Sequence, residues 1–161
     1  MTGMAGGNVI VCVGNSLAGD DAAGAAVYDA LALRPLPPGT RLRLLGLGGI
    51  ALLDDLVEAS CPASLLIVVD AVQLGAAPGT VQVMEWDAIP EAGGAAVSLH
   101  GIGIRETITI GRALYPEFMP PRIVLVGIEG QRFDILGAEM TPPVAAAIEE
   151  AVFQIMNLFA V

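Results

Sequence analysis

The sequence predicts an α/β fold: a three-layer sandwich with a roughly five-stranded, mostly parallel twisted sheet and helices on both faces. Three apolar runs rich in valine and isoleucine, at 9–13, 64–69 and 122–128, are typical of strands buried on both sides. Amphipathic stretches separate them, as parallel strands with helical crossovers require. At 161 residues the chain is long enough to bury a sizeable core, so we assign 1–161 to a single domain.

The first half of the chain alternates between strand and helix patterns. Residues 22–33 predict a helix, because Val27 and Leu31 share one face and three prolines follow soon afterwards. Residues 40–45 alternate arginine with leucine, which predicts a half-exposed strand at an edge of the sheet. A second helix is predicted over 51–59, where four apolar side chains form one stripe.

The second half contains the strongest strand pattern, SLLIVV at 64–69, and we expect Asp70 to lie just past its end. Residues 80–86 predict a further strand, antiparallel and at the edge of the sheet. Residues 102–114 fit a helix or a strand, and a helix is predicted because the strand at 122–128 needs a crossover.

The last helix is predicted from its start signals. Thr141 is placed to cap it, and Pro142 and Pro143 occupy its first turn. Apolar residues then recur along one face as far as Phe159.

Composition and charge exclude several classes of function. The net charge is −10 and the pI is near 4.2, with seven basic residues, so there is no basic stripe for nucleic acid. The mean hydropathy is +0.72, yet no apolar run fits a membrane span or a signal peptide. Cys12 and Cys61 are too far apart for a metal-ligand motif and are typical of a reduced protein. We therefore expect a cytoplasmic protein without nucleic-acid or membrane partners.

Three groups of ionisable side chains are predicted to converge at the carboxyl edge of the sheet. Asp20 or Asp21 follows the first strand, Asp70 follows the third, and His100 is the one histidine of the chain. In an open α/β sheet, groups past the carboxyl ends of the strands lie where ligands bind. Two carboxylates and an imidazole suit a divalent transition metal that keeps positions open for water or substrate.

Each of these residues also has a purely structural interpretation. Asp20 or Asp21 could be the N-cap of the next helix, and Asp70 could hydrogen-bond the turn that follows its strand. A lone histidine is more often a packed or surface side chain than a ligand. Other chemistries fit less well, because the glycines of GNSLAG match neither a phosphate-binding loop nor a dinucleotide fingerprint.

Four segments of the chain resemble the hydrogenase maturation proteases, the endopeptidases that trim the C-terminal extension of nickel-iron hydrogenase large subunits. The resemblance covers nearly the whole chain in the right order. The segments are CVGNSLAGDDAAG at 12–24, VVDAVQLGAAPG at 68–79, SLHG at 98–101, and GIEG at 127–130 followed by the terminal amphipathic helix.

The resemblance implies a metal-dependent site and a protein substrate. By motif, the metal-contacting and catalytic residues are Asp21, Asp70 and His100, and Asn15 and Asp20 are candidates for orienting them. It implies that the nickel is supplied by the hydrogenase large-subunit precursor and that the enzyme has no tightly bound metal of its own. The implied partner is that precursor, and the enzyme is expected to be a monomer.

Two other functions stay open on the sequence alone. The chain could be a stand-alone metallohydrolase of the same fold with its own zinc or manganese, or a non-catalytic module that checks nickel during assembly. The cleavage chemistry is open as well: a carbonyl polarised by the metal, an activated water or a carboxylate base.

Overall fold

A five-stranded sheet forms the centre of the computed structural model, which describes residues 6–46, 49–90, 101–133 and 135–160. Numbered along the chain, its strands are β1 (Asn8–Val13), β2 (Thr40–Leu45), β3 (Leu65–Val72), β4 (Val81–Glu85) and β5 (Arg122–Glu129). Their order across the sheet is β2-β1-β3-β5-β4, with β4 antiparallel and the others parallel. The predicted fold class is confirmed, including an antiparallel strand at one edge.

Four α-helices cover the two faces of the sheet: α1 (Ala23–Ala32), α2 (Ile50–Val57), α3 (Gly101–Leu114) and α4 (Pro142–Asn157). On one face, α1 and α4 bury side chains such as Leu31 and Ile155 against the sheet. On the other face, α2 and α3 do the same through side chains such as Leu56 and Ile108. This arrangement confirms that the ambiguous stretch before β5 is a crossover helix.

Within the described ranges, no helix combines the length and the apolar character needed to cross a membrane.

β3 is longer than the sequence pattern predicts. It is buried along its whole length and continues through Asp70 to Val72, because β5 runs beside it as far as Glu129 and pairs Gly127 with Asp70. The prediction that Asp70 lies past the end of its strand is therefore wrong. An apolar run marks the centre of a strand, whereas its last residues depend on hydrogen bonds to a neighbouring strand that is distant in sequence.

α3 begins at the carboxyl edge of the sheet. Gly49, which follows β2 at that edge, lies against the first turns of α3: a β-carbon there would be 2.4 Å from the Gly103 carbonyl oxygen and 2.2 Å from Thr107 Oγ1. The chain therefore reaches the carboxyl edge at Gly101. His100 precedes this residue and lies outside the described part of the chain.

α1 starts in close contact with the end of β1 through Gly24. A β-carbon at this position would lie 1.9 Å from the carbonyl oxygen of Val13 and 2.8 Å from its carbonyl carbon. Alanine has the higher helix propensity, yet we expect Gly24→Ala to lower the free energy of unfolding by about 1–3 kcal/mol, because backbone atoms must separate. Chemical denaturation measures this change.

The matched control is Gly46→Ala, since a β-carbon at Gly46 has no neighbour within 4 Å. We expect the control to keep its stability within about 0.5 kcal/mol. Equal stability of the two variants would contradict the prediction.

Candidate active site

Asp20 and Asp21 lie in a 3-10 turn, Gly19–Ala22, between β1 and α1. The loop that contains this turn, residues 14–22, is called the acid loop below. It begins at Gly14, which has a φ of +151° and where a β-carbon would lie 2.1 Å from the Asp21 carbonyl oxygen. This close approach requires glycine at position 14. Both carboxylates are buried, so their contacts decide what each one does.

The Asp20 carboxylate joins the acid loop to the connection between β5 and α4. Its Oδ2 accepts hydrogen bonds from the backbone N–H groups of Gln131 at 2.9 Å and Arg132 at 3.0 Å. Its Oδ1 accepts from the Thr141 N–H at 2.7 Å, and the Thr141 hydroxyl donates to both oxygens at 2.9 and 3.0 Å. The Asp20 N–H in turn donates to the Arg132 carbonyl at 2.7 Å. Two segments that are far apart in sequence are thereby held as one unit.

These contacts correct two predictions about helix caps. Asp20 does not cap the helix that follows it, because neither the 3-10 turn nor α1 has a side-chain cap hydrogen bond. Thr141 occupies the N-cap position of α4, but its hydroxyl binds Asp20 instead of the helix. That Asp20 orients the acid loop for function stays a prediction, and its five hydrogen bonds are the means by which it would do so.

Burial and hydrogen bonding act on the Asp20 carboxyl in opposite directions. Burial by itself raises the pKa of a carboxyl group, but the hydrogen bonds from Gln131, Thr141 and Arg132 favour the charged form. Together they outweigh burial and lower the pKa of Asp20 below its ordinary value of 3.8. Asp20 is therefore a charged carboxylate at neutral pH.

Asp21 contacts the second residue that was predicted to orient the site. Its Oδ2 accepts a hydrogen bond from the Asn15 N–H at 3.0 Å. The Asn15 side-chain oxygen accepts from the Leu17 N–H at 3.0 Å, and the Asn15 carbonyl accepts from the Ala18 N–H at 3.1 Å. Asn15 thus forms a tight turn directly against the Asp21 carboxylate.

Asp70 lies on β3, next to the acid loop. The 3-10 turn that carries Asp21 contacts β3, and Cys12 of β1 pairs with Val69. Val68 and Val72 belong to the core beneath α2 and α3, so the alternation of side chains along a strand places Asp70 on that face. Burial raises the pKa of the Cys12 thiol, and the charge of Asp70 raises it further, so Cys12 stays a neutral core residue.

The structure therefore brings together the elements that carry Asp21 and Asp70. His100, the third predicted ligand, lies outside the described residues. Among the residues that the structure describes, no three or more His, Cys, Asp or Glu side chains form a group that could hold a metal ion.

Glu129, the last residue of β5, is a buried acid that our sequence patterns did not single out. Its two oxygens accept hydrogen bonds from the Leu74 N–H at 3.0 and 2.9 Å, and Oε1 also accepts from the Gly75 N–H at 3.0 Å. Gln82 Nε2 donates to Oε2 at 3.3 Å. Glu129 therefore holds the connection that follows Asp70 and β3. An acid that ends an apolar strand, the signal that identified Asp70, is also present at Glu129.

We expect Asp20→Asn to lower the free energy of unfolding at pH 7 by about 2–4 kcal/mol, because the new amide group turns its N–H donors toward backbone N–H donors. The wild-type stabilisation is complete above the unfolded pKa near 3.8 and is lost as pH falls through the lower folded pKa. The variant should therefore lose less stability than the wild type between about pH 5 and 2. Urea unfolding at a series of pH values measures both effects.

The control for Asp20→Asn is Asp29→Asn, at an exposed position on α1. Its free energy of unfolding should stay within about 0.5 kcal/mol of the wild-type value. An Asp20→Asn protein as stable as this control would contradict the assigned role of the carboxylate.

Replacing Glu129 tests whether its buried carboxylate holds the connection after β3. We expect Glu129→Gln to cost about 1–3 kcal/mol of stability, since one amide nitrogen must face the N–H groups of Leu74 and Gly75. Amide hydrogen exchange at Leu74 and Gly75 should become faster than in the wild type. Glu85→Gln, at an exposed position on β4, is the control and should leave that exchange unchanged. If amide hydrogen exchange at Leu74 and Gly75 is unchanged in Glu129→Gln, the Glu129 carboxylate does not hold this connection.

Comparison with known proteins assigns the family. A family model described as hydrogenase maturation protease matches residues 37–158. The chain is 34% identical over 153 residues to the hydrogenase expression/formation protein HupM of Azotobacter chroococcum mcd 1, covering 94% of this chain and 70% of that relative. It is 32% identical over 145 residues to the hydrogenase expression/formation protein HoxM of Azotobacter vinelandii, covering 89% and 67% respectively.

Solved structures agree with this assignment. The hydrogenase maturating endopeptidase HybD from E. coli superposes with a TM-score of 0.81 at 27% identity, covering 96% of this chain and 92% of that one. An endopeptidase from Escherichia coli solved in solution gives a TM-score of 0.77 at 28% identity, covering 94% and 90%. The resemblance found in the sequence motifs is confirmed: the chain belongs to the hydrogenase maturation protease family and is a peptidase.

Proposed function

We propose that this enzyme removes the C-terminal extension of a nickel-iron hydrogenase large-subunit precursor after nickel insertion, and that it recognises the precursor by that nickel. The observation that supports the proposal best is the placement of two buried aspartates, Asp21 and Asp70, on contacting elements at the carboxyl edge of the sheet. Ligands of open α/β sheets bind at this edge, so in a peptidase of this family the peptide bond is expected to be cleaved beside this pair.

In this proposal the nickel belongs to the substrate, and Asp21, Asp70 and His100 contact it there. Two buried acids at one edge create a region of negative potential in which a divalent cation is favoured. Carboxylate oxygens and an imidazole nitrogen are harder ligands than thiolates, so they can share a metal that sulfur ligands of the precursor already hold. The enzyme then needs no resident metal, because its ligand set is completed only by the loaded precursor.

The face on which Asp70 lies supports the inclusion of His100. Asp70 is on the face of the sheet that α2 and α3 cover, and α3 begins at the carboxyl edge with Gly101, the residue after His100. Asn15 and Asp20 are assigned to holding the acid loop, Asn15 through its N–H to Asp21 and Asp20 through the connection before α4. The proposal assigns the reaction to a cytoplasmic monomer.

The test is processing of a purified large-subunit precursor with and without nickel, followed by mass measurement of the precursor's C-terminus. The wild-type enzyme should cleave only the nickel-loaded form. Asp21→Asn, Asp70→Asn and His100→Ala should each lower kcat/KM by at least about 100-fold, because each removes one ligand to the metal. Asp29→Asn, at the exposed position on α1, should process the precursor like the wild type.

Three results would refute the proposal or part of it. If the nickel-free precursor is cleaved at the same rate as the nickel-loaded one, the enzyme does not recognise its substrate by nickel. A stoichiometric zinc or manganese ion in the purified enzyme would favour the stand-alone metallohydrolase. Binding of the loaded precursor without any change in its mass would favour the non-catalytic assembly module.

A further inference from the structure

Three large apolar side chains are exposed on the acid loop and on the connection between β5 and α4. Leu17 is 65% exposed, Ile135 is 51% exposed and Leu136 is 75% exposed. Together with the neighbouring Arg132 they are called the docking patch below. Single exposed apolar residues are common on protein surfaces, whereas several side by side next to a ligand-binding edge indicate a surface for a partner.

The two loops that form the docking patch are joined by backbone hydrogen bonds. The Gly137 N–H donates to the Leu17 carbonyl at 2.7 Å, and the Gly19 N–H donates to the Ala138 carbonyl at 3.1 Å. Asp20 adds its carboxylate contacts to the same connection, next to Arg132. These hydrogen bonds hold the described residues of the two loops together, which lowers the free energy that a partner would spend on ordering them.

Arg132 gives the docking patch a positive charge. Six of the seven arginines make a hydrogen bond, an ion pair or a ring contact through their guanidinium groups: Arg34, Arg41, Arg43, Arg105, Arg112 and Arg122. Within the part of the chain that the structure describes, the exposed guanidinium of Arg132 has no such partner. In a chain with a net charge of −10, an uncommitted cation on the same two joined loops as three exposed apolar side chains favours a ligand that carries a carboxylate.

The docking patch continues directly into the candidate active site. Leu17 belongs to the turn that begins at Asn15, and Asn15 donates its N–H to the Asp21 carboxylate. Arg132 accepts the Asp20 N–H through its carbonyl oxygen. A polypeptide that reaches Asp21 can therefore contact this patch with residues close to its scissile bond.

We infer that the docking patch binds the substrate polypeptide next to the scissile bond, with apolar side chains on Leu17, Ile135 and Leu136 and an acidic side chain on Arg132. This inference rests on the proposed function, which supplies a polypeptide substrate at the same site. The carboxylate that Arg132 would bind is assigned to an aspartate or glutamate side chain of this polypeptide. A second copy of this chain is a poorer occupant, because a stable dimer needs about 20–30 residues from each partner and the patch has four.

The apolar part of the patch is tested with the double variant Leu17→Ser/Leu136→Ser. The substrate is a nickel-loaded large-subunit precursor that the wild-type enzyme processes. We expect KM to rise roughly tenfold with kcat changed less than about twofold, because the variant loses apolar surface that the substrate would cover. Leu33→Ser, at an exposed position at the C-terminal end of α1, is the matched control and should leave both constants unchanged.

The charged part of the patch is tested with Arg132→Glu and Arg132→Lys. Arg132→Glu should raise KM about tenfold at low salt and less at about 0.5 M salt, because salt screens the interaction of exposed charges. Arg132→Lys keeps the charge and should recover most of the affinity. Arg34→Glu, which replaces an exposed ion pair with Glu149 by two like charges, is the control and should leave KM unchanged.

Binding to the nickel-free precursor separates this inference from the proposed function. The docking patch does not use nickel, so its variants should weaken this binding by the same factors as they raise KM. If the wild type cleaves but the patch variants keep KM and binding unchanged, the inference is overturned while the proposed function stands.

If the wild type binds through the patch without cleaving, the inference stands and the proposed function fails. A wild-type dimer that the patch variants dissociate, or a precursor that does not bind, overturns the inference.

Discussion

The arrangement of the candidate site depends on one buried carboxylate. Asp20 binds the backbone of Gln131 and Arg132 and both polar groups of Thr141, so it joins the loop after β1 to the connection after β5. The strands that lead into these loops are not neighbours, because β3 lies between them. A charged side chain with five hydrogen bonds can hold such a junction, whereas an apolar contact would fix neither distance nor direction.

Two of the buried acids at this edge, Asp20 and Glu129, accept hydrogen bonds from backbone N–H groups. These N–H groups belong to adjacent loops, whereas among the described residues Arg34, Arg43, Arg112 and Arg122 form ion pairs with carboxylates at exposed or half-buried positions. Backbone amides supply partial positive charge without a mobile side chain. At Asp20 they favour the charged form of the carboxyl group, which suits an edge that contacts a cation carried by a substrate.

This arrangement also separates the tasks of the acidic residues. Glu129 holds the connection that directly follows β3, which carries Asp70, whereas Asp20 holds the turn that carries Asp21 against the connection after β5. These hydrogen bonds favour a defined relative position of Asp21 and Asp70. Precise placement of this kind is what contact with a substrate-held metal requires, because the enzyme would meet a coordination geometry set largely by its substrate.

The amino-acid sequence by itself determined the fold class and the order of the helices and strands, and its resemblance to the family indicated the candidate residues Asp21, Asp70 and His100. It could do so because buried parallel strands and amphipathic helices have distinct apolar periodicities, and because the motifs around the acids are local in sequence. The role of Asp20 was harder to predict from the sequence. The local pattern favours a helix cap, whereas its hydrogen-bond partners are more than 100 residues away in sequence.

Only the tertiary structure decided that β3 extends beyond Asp70, that Thr141 binds Asp20, that Glu129 holds the connection after β3 and that Arg132 lies against Gly19 and Asp20 of the acid loop. All four depend on hydrogen bonds or contacts between segments that meet only when the sheet is assembled. A single sequence contains no local signal for such pairings, since their free energy comes from groups that are distant along the chain.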